Sequence, residues 1–338
     1  MTTVAIPDRQ DVTIFFIVDG LKLELQSIFL ICSIKKHFGN SLKVIAYHRQ
    51  DYEVTAYTRD ILESQGARLV AIPRTFSKDV DPWPEPWPVG NKLLAIAEPR
   101  DTKISAFLDT DMVFVNHVDF EAELDGGEVL ACTADFILGG LDHPKKWEPV
   151  YAFFDMPMPE TRRRLLRGRR VLIPPYYNAG LAVFREGPVG DAQVPFGQAW
   201  LHHAARAKRS GEFEAQSRNV DQVTYPVTIE RIGARFTLGR HGLNYNAYAH
   251  PYDGVPDIAI PHYHHFSTFL RHRPNLALDI FRSVEEAMGT EALRHFIQKH
   301  KGPLDWYRSA FDITRTIDSM LENEGTLLTP TPAHVNHS

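Results

Sequence analysis

The chain has 338 residues, of which 43% are hydrophobic and 23% are charged. Its 37 Lys and Arg residues stand against 42 Asp and Glu residues, which gives a formal net charge of −5. This composition fits a globular protein with a real core and argues against a general nucleic-acid-binding protein, because such proteins carry a basic excess.

Strand and helix patterns alternate at the start of the chain. The apolar run VTIFFIV, from Val12 to Val18, predicts a central parallel strand that ends at Asp19. The elements predicted next are a helix over Leu23–Phe38, a strand over Leu42–Tyr47, a helix over Tyr57–Gln65 and a strand over Ala67–Ile72. This β-α-β-α-β order is typical of a doubly wound parallel sheet.

The pattern becomes less regular after a loop rich in Pro and Trp at residues 81–90. Prolines of that loop cannot continue a helix or a central strand. The elements predicted beyond it are a helix over Asn91–Glu98, strands over Ile104–Leu108, Glu128–Cys132 and Tyr177–Arg185, helices over Phe196–Arg209 and from near Asn219, loop and strand over Leu243–Ala249 and Ile258–His265, and helices over Val284–His300 and Asp305–Glu324.

The two cysteines, Cys32 and Cys132, lie in apolar sequence and form no metal or disulfide pattern, so we expect reduced core thiols. The amino terminus lacks the pattern of a signal peptide. No apolar run approaches the roughly 18 residues that a membrane span needs. We therefore predict a cytoplasmic protein with at most peripheral membrane contact.

Two carboxylates, Asp109 and Asp111, interrupt the apolar stretch AFLDTDMVFV that runs from Ala106 to Val115. In extended chain, side chains at i and i+2 share a face and lie about 6.6 Å apart. Both would then face one crevice at the carboxyl end of a parallel strand, where open α/β sheets bind ligands. A buried carboxylate pair needs a cation, and hard oxygen ligands select Mg²⁺ or Mn²⁺.

Alternative interpretations of this stretch are a solvated turn with two acidic residues and a phosphatase of the haloacid-dehalogenase type. The apolar flanks favour a metal site over the solvated turn. The phosphatases carry their Asp-x-Asp after the first strand and need a further acidic pair downstream. Here Asp109 follows three predicted strands and no Asp-Asp pair comes later, which disfavours the phosphatase.

Six short polar segments occur in a fixed order beside predicted apolar strands. They are Asn91-Lys92-Leu93, FLDTDMVF, Tyr177-Asn178-Ala179-Gly180, Asp221-Gln222, LNYN over Leu243–Asn246, and Ile260-Pro261-His262-Tyr263. In this order they resemble the GT-A nucleotide-sugar glycosyltransferases, specifically the glycogenin-like and bacterial lipopolysaccharide galactosyl- and glucosyltransferase-like family. The likeness covers roughly residues 10 to 275.

The resemblance implies an α/β fold of the GT-A type, with a doubly wound, mixed and mostly parallel sheet flanked by helices, and with C-terminal helices. We expect residues 10–275 to form the transferase domain and residues 276–324 a helical extension. The polar, Pro-containing tail 325–338 is expected to be disordered. The implied activity is transfer of a hexose from a nucleotide-diphosphate sugar, UDP-sugar favoured, with retention of the anomeric configuration.

The resemblance also implies a metal site. Asp109, Asp111 and His262 would bind Mn²⁺ or Mg²⁺ against the donor diphosphate. His264 and His265 compete with His262 for the third position. In extended chain His262 and His264 share a face and His265 points away.

Other residues are assigned to the sugar and the nucleotide. Asp221, Gln222 and Asn178 are the candidate catalytic residues, with Asp221 contacting the sugar hydroxyls at the reacting centre. Alternatives are a charge in the first turn of a helix for Asp221 and a simple turn for Asn-Ala-Gly. The residues assigned to the nucleotide sugar are Asp19, Asn91, Lys92, Asp109, Gly180 and Arg271.

The chain departs from the family after the histidines. The family's Gly-x-x-Lys-Pro-Trp segment is absent, and the chain reads HHFSTFLRHRP, where Arg271 or Arg273 takes the place of the phosphate-binding lysine. This departure leaves inversion open, and an inverting enzyme would need one carboxylate base, for which Asp221 and Asp135 are candidates.

Two further features have open interpretations. Trp83 and Trp87 either stack on sugar faces or attach the proline-rich loop to the body of the protein. The Arg-rich stretch over Thr161–Arg170 either meets an anionic or lipid-linked acceptor or forms a solvated basic helix face.

Two other functions compete with sugar transfer. A sugar-phosphate nucleotidyltransferase would use a Gly-rich loop after the first strand to hold a triphosphate, and the segment after Asp19 lacks one. A non-catalytic nucleotide-sugar-binding module would bind without turnover. The acceptor and the oligomeric state stay open.

Overall fold

A seven-stranded sheet forms the centre of the structure. The computed structural model describes residues 11–72, 87–137, 140–166, 172–213, 219–247, 257–265 and 274–291. The strands in chain order are β1 (Val12–Ile17), β2 (Lys43–Arg49), β3 (Ala67–Ile72), β4 (Ile104–Leu108), β5 (Val129–Thr133), β6 (Arg163–Arg164), β7 (Leu172–Ile173), β8 (Tyr177–Arg185), β9 (Pro188–Val189), β10 (Val194–Pro195), β11 (Phe236–Leu238), β12 (Tyr245–Asn246) and β13 (Pro261–His262).

The order of strands in the central sheet is β3-β2-β1-β4-β8-β5-β11. Neighbouring pairs are parallel except at β8, which runs antiparallel to both β4 and β5. The register of β8 on β4 pairs Leu181 with Leu108 and Arg185 with Ile104. The predicted α/β fold with a mixed, mostly parallel sheet is therefore confirmed.

Helices cover both faces of this sheet. They are α1 (Leu21–Phe38), α2 (Ala56–Ser64), α3 (Asn91–Ala97), α4 (Phe120–Leu124), α5 (Glu148–Phe153), α6 (Phe196–Ser210), α7 (Val220–Arg231) and α8 (Pro274–Met288). Short 3₁₀ turns occupy Pro88–Gly90, Pro144–Trp147 and His241–Leu243. Within the described ranges, no helix is both long and apolar enough to span a membrane.

Strand β1 shows why the sheet is buried on both faces. Ile14 and Phe16 belong to a core on the side of α1 and α8, whereas Phe15 and Ile17 belong to a core on the side of α3, α6 and α7. Successive side chains of a strand point to opposite faces. A strand covered by helices on both sides therefore needs the continuous apolar run that the sequence shows.

Several predicted elements differ from the structure. The carboxyl-terminal helix begins at Pro274 rather than at Val284, and it ends at Met288 because Gly289 takes a left-handed backbone with φ of 82°. The Arg-rich stretch includes a short strand, in which Arg163 and Arg164 pair with β7, so the helix-face interpretation is wrong there. Arg167, Arg169, Arg170, the helix predicted over Asp305–Glu324 and the tail 325–338 lie outside the described residues.

The two cysteines are free and buried, as predicted. Trp87 is buried against the body of the protein, with the Lys208 ammonium 5.4 Å from the centre of its ring. Trp83 lies outside the described residues.

Candidate functional site

The carboxylates Asp109 and Asp111 lie in a turn at the carboxyl end of β4. The amide of Met112 donates to the carbonyl of Asp109 at 3.1 Å, so the chain bends there. The extended geometry assumed from the i, i+2 spacing is therefore wrong. The side chains are 34% and 19% exposed, respectively, and both stand near Lys92 and His262 at the edge of the sheet.

Lys92 connects the turn to helix α7. It lies on α3 with a side chain that is 10% exposed, and its ammonium is 2.6 Å from Oδ2 of Asp221 and 4.0 Å from Oδ1 of Asp109. It also donates to the carbonyl of Ala179 at 3.3 Å. Asp221 lies in the first turn of α7, as predicted, and its other oxygen, Oδ1, is buried with no hydrogen-bond partner among the described residues.

His262 faces Asp111 from the late strand β13. Its Nε2 is 3.0 Å from Oδ1 of Asp111, and its Nδ1 is 3.0 Å from Oδ1 of Asn244. An Asn oxygen can only accept, so this contact places a proton on Nδ1. Nε2 then has its lone pair toward Asp111 unless it is protonated or bound to a cation. Asn244 was not predicted to act at the site, although the LNYN segment that contains it was noted.

His264 joins the same cluster. Its Nδ1 is 3.8 Å from Oδ2 of Asp111, and its ring lies 3.8 Å from the ring of His262, centre to centre. One ligand atom each from Asp111, His262 and His264 fall within 4.8 Å of one another. His265 is exposed.

Gly180 permits this close approach of groups. A Cβ placed there would lie 2.8 Å from Cε1 of His262, 2.9 Å from Oδ1 of Asn178 and 3.1 Å from Oδ2 of Asp109. The backbone of Gly180 is tied on both sides, because its carbonyl accepts from the amide of Asp109 at 2.8 Å and its own amide donates to Oδ1 of Asn178 at 2.7 Å. Any side chain at this position would enter the space between the three groups.

Asp19 and Asn91 meet beside the main cluster. Oδ2 of Asp19 accepts from the side-chain amide of Asn91 at 2.9 Å, and Oδ1 accepts from the backbone amide of Arg49 at 2.8 Å. Burial raises the pKa of Asp19 above its ordinary value, despite both hydrogen bonds. Gln222 is partly exposed next to Asp221, and Arg271 lies outside the described residues.

The charges of the cluster perturb one another strongly. Burial raises the pKa of Asp109, and the neighbouring Asp111 adds to the increase. Burial acts the same way on Asp111, but His262 and His264 outweigh it and hold the pKa of that carboxyl well below its usual range. Burial lowers the pKa of His262, whereas Asp111 raises it to a net value above the ordinary one.

Lys92 stays charged in the same environment. Burial alone would lower its pKa, but the carboxylates of Asp109 and Asp221 raise it above the ordinary value. The ammonium therefore neutralises part of the negative charge at the site.

The donor set fits a divalent cation. Carboxylate oxygens suit Mg²⁺ and Mn²⁺, and a neutral imidazole nitrogen suits the transition metals. The contact of Nδ1 of His262 with Asn244 is the second interaction that metal-binding histidines almost always make, because it fixes the tautomer and the ring orientation. Asp109, Asp111 and His262, which were predicted as ligands, lie together as such a site requires.

Comparison with known proteins identifies the class. The model of the Rhodobacterales glycosyltransferase domain matches residues 14–233, which is more than half of the chain. A search of curated proteins found no match.

Solved structures of similar fold include glycosyltransferases of low sequence identity. The galactosyltransferase LgtC in complex with donor and acceptor sugar analogues is 15% identical, with a TM-score of 0.47 over 81% of this chain and 95% of that chain. An active-site mutant of LgtC gives 13% and 0.46 over the same shares. GlyE of Streptococcus pneumoniae TIGR4 gives 12% and 0.46 over 87% of this chain and 64% of that chain.

The family match spans most of the central sheet, including the Asp109–Asp111 turn, β8 and the start of α7. It confirms the expectation of a glycosyltransferase, and the mixed, mostly parallel sheet is the α/β architecture expected of the GT-A type. The chain belongs to the Rhodobacterales glycosyltransferase domain family.

Proposed function

We propose that this glycosyltransferase moves a hexose from a nucleotide-diphosphate sugar, with UDP-sugar as the favoured donor, to a glycan, lipid-linked or small-molecule acceptor. A Mn²⁺ or Mg²⁺ ion would be bound by Asp109, Asp111 and His262. The observation that carries the proposal is the convergence of these side chains with Lys92 and Asp221 at the end of β4.

The charge balance at this convergence supports a divalent cation. Asp109, Asp111 and Asp221 supply three carboxylates, and Lys92 supplies one ammonium. Two negative charges are then left in a half-buried site, where uncompensated charge is costly. A divalent cation would neutralise them and leave its remaining coordination positions to phosphate oxygens and water.

Sugar transfer needs what these residues would supply. The bond between the anomeric carbon and the phosphate oxygen breaks through an oxocarbenium-like state, a bond to the acceptor oxygen forms, and the acceptor loses its hydroxyl proton. Negative charge grows on the departing diphosphate, and a bound cation would stabilise that charge. Lys92 holds Asp221 in place by an ion pair of 2.6 Å.

Asp221 is proposed to bind the transferred sugar. Its Oδ1 is buried without a partner among the described residues, and a buried acceptor in that state is costly until a donor arrives. A sugar hydroxyl is such a donor. Asn178 and Gln222 are proposed to contact the sugar or the acceptor beside it, and Gly180 leaves the room that the sugar needs.

The nucleoside is proposed to lie against Asp19 and Asn91, which meet at the end of β1. Arg271 is proposed to contact the diphosphate. Retention of the anomeric configuration is the proposed outcome, and inversion would call on Asp221 or Asp135 as the base. The transferase domain is proposed to span residues 10–275, and the cytoplasmic location stays a prediction from the sequence.

A binding and turnover experiment tests the proposal. Nucleotide sugars are screened by thermal shift with and without Mn²⁺, and the best donor is then incubated with an acceptor panel while nucleotide-diphosphate release is measured. We expect Mn²⁺-dependent stabilisation and release, both lost in Asp111→Asn, whose carboxamide keeps the shape of the side chain and removes its charge. Metal-independent binding and turnover in that variant would refute the proposal.

The same experiment separates the competing functions. Pyrophosphate release from a nucleoside triphosphate and a sugar phosphate would identify a nucleotidyltransferase instead. Stabilisation by a nucleotide sugar without turnover, over the whole acceptor panel, would identify a binding module.

A further inference from the structure

A second histidine stands at the proposed metal site. Nδ1 of His264 is 3.8 Å from Oδ2 of Asp111, on the carboxylate oxygen that His262 does not contact. Its side chain is 33% exposed, whereas that of His262 is 5% exposed. The two imidazoles therefore approach the same carboxylate, one from the interior and one from the solvent side.

The backbone directs His264 toward this position. His264 has φ of 54°, a left-handed conformation that costs a non-glycine residue energy and that is found most often at functional sites. The segment is fixed to the Asp111 turn, because the amide of Tyr263 donates to the carbonyl of Asp111 at 2.9 Å and Met112 forms an isolated bridge with His262. The strained residue thus follows directly after two backbone contacts that hold it against the carboxylate.

The separations between the donor atoms fit a single ion. Metal–ligand bonds of about 2.0–2.2 Å place neighbouring ligand atoms about 2.9–3.4 Å apart, and opposite ones up to about 4.3 Å. The observed separations are 3.0 Å from Asp111 to His262 and 3.8 Å from Asp111 to His264, with the whole set inside 4.8 Å. Small side-chain adjustments bring all three donors onto one cation.

We propose that His264 is an additional protein ligand, which makes the site a two-imidazole, carboxylate centre that favours Mn²⁺, Co²⁺ or Zn²⁺ over Mg²⁺. The proposal rests on the proposed function, because the ion is the one that Asp111 and His262 would bind. Mg²⁺ prefers an octahedral shell of oxygens and keeps several waters, whereas imidazole nitrogen suits first-row transition metals. A second imidazole therefore strengthens transition-metal binding and does little for Mg²⁺.

Metal titration of four forms of the protein tests this inference. Wild type, His264→Gly, His265→Ala and Asp111→Asn are titrated calorimetrically with Co²⁺ and with Mg²⁺, and the visible absorption of bound Co²⁺ is recorded. Glycine at position 264 removes the imidazole and relieves the left-handed backbone, so this variant is expected to fold, which metal-free thermal melting checks. His265→Ala is the matched control, because it removes an exposed imidazole one residue away.

We expect His264→Gly to lose at least about tenfold in Co²⁺ affinity, the smallest loss seen when even a hydrogen-bond partner of a ligand is removed. Mg²⁺ affinity should change much less, and the Co²⁺ absorption should shift as water replaces nitrogen. His265→Ala should match the wild type in all three measurements.

The outcomes separate this inference from the proposed function. Unchanged Co²⁺ affinity and absorption in His264→Gly, with binding lost in Asp111→Asn, would overturn the role of His264 alone. Equal losses of Co²⁺ and Mg²⁺ affinity in His264→Gly would overturn the proposed selectivity. Wild-type binding in Asp111→Asn would overturn the metal site itself, and the proposed function with it.

Discussion

Replacing Gly180 with alanine tests whether the site depends on the close approach of Asp109, Asn178 and His262. The backbone of Gly180 is not left-handed, so alanine is conformationally allowed and the effect is purely steric. The new Cβ would start 2.8 Å from Cε1 of His262. Carbon atoms pack at about 3.5–4.0 Å, so the imidazole must move away by on the order of 0.7 Å.

A displacement of this size exceeds what a metal site tolerates. Ligand distances must stay within about 0.2 Å of their ideal values. We therefore expect Gly180→Ala to lower Mn²⁺ affinity by at least about tenfold, on the scale found when the shell that supports a ligand is disturbed. The buried contacts with Asn178 and Asp109 also predict a fall of about 1–3 kcal/mol in the free energy of unfolding, which is typical of overpacking.

Calorimetric Mn²⁺ titration and urea denaturation measure the two effects separately. Gly127→Ala is the matched control, because its Cβ would contact Thr237 and the Leu124 carbonyl at the opposite, amino-terminal end of β5. This control should lose stability and keep its metal affinity. Wild-type Mn²⁺ affinity in Gly180→Ala would refute the idea that these three groups surround the ion.

Three further substitutions probe the polar contacts of the interior. Asn244→Ala should lower Mn²⁺ affinity by about 10–100-fold in calorimetric titration, because nothing then fixes the proton on Nδ1 of His262. Lys92→Met should cost about 3–5 kcal/mol in urea unfolding, since it leaves the 2%-exposed carboxylate of Asp221 without its cation, and adding Asp221→Leu should recover most of that loss. Glu24→Gln should cost about 1–3 kcal/mol at pH 7, because the buried carboxylate accepts four hydrogen bonds. Burial raises the pKa of Glu24, but these bonds lower it to a net value below the ordinary 4.5, so its stabilisation is present above pH 4.5 and is lost as the pH falls through the lowered pKa; the difference between wild type and Glu24→Gln in pH-dependent denaturation should shrink there.

Local patterns were sufficient to predict most elements of the sheet. The strands over Ala67–Ile72, Ile104–Leu108 and Tyr177–Arg185 have the predicted bounds, and Asp221 lies in the first turn of a helix as expected. Each of these segments is a continuous apolar run or begins at a polar cap. Such signals act over a few residues and do not depend on the rest of the fold.

Contacts between distant segments were harder to predict. The amide of Asn244 reaches His262 across 18 positions, and Lys92 reaches Asp221 across 129, so neither pairing has a spacing that a sequence pattern could show. Both residues had been noted only as members of short motifs. The start of α8 at Pro274 did have a local signal, since proline is favoured at the first position of a helix, and the prediction missed it.

The direction of β8 determines which residues reach the site. In an all-parallel sheet the amino end of β8, with Asn178 and Gly180, would lie at the edge opposite to Asp109, separated by roughly the length of a five-residue strand, about 17 Å. Because β8 runs antiparallel between β4 and β5, its first residues instead arrive where β4 ends, and the amide of Asp109 donates to the carbonyl of Gly180 at 2.8 Å. The polar start of β8 and the polar end of β4 thus become neighbours, and a single reversed strand turns two separate motifs into one site.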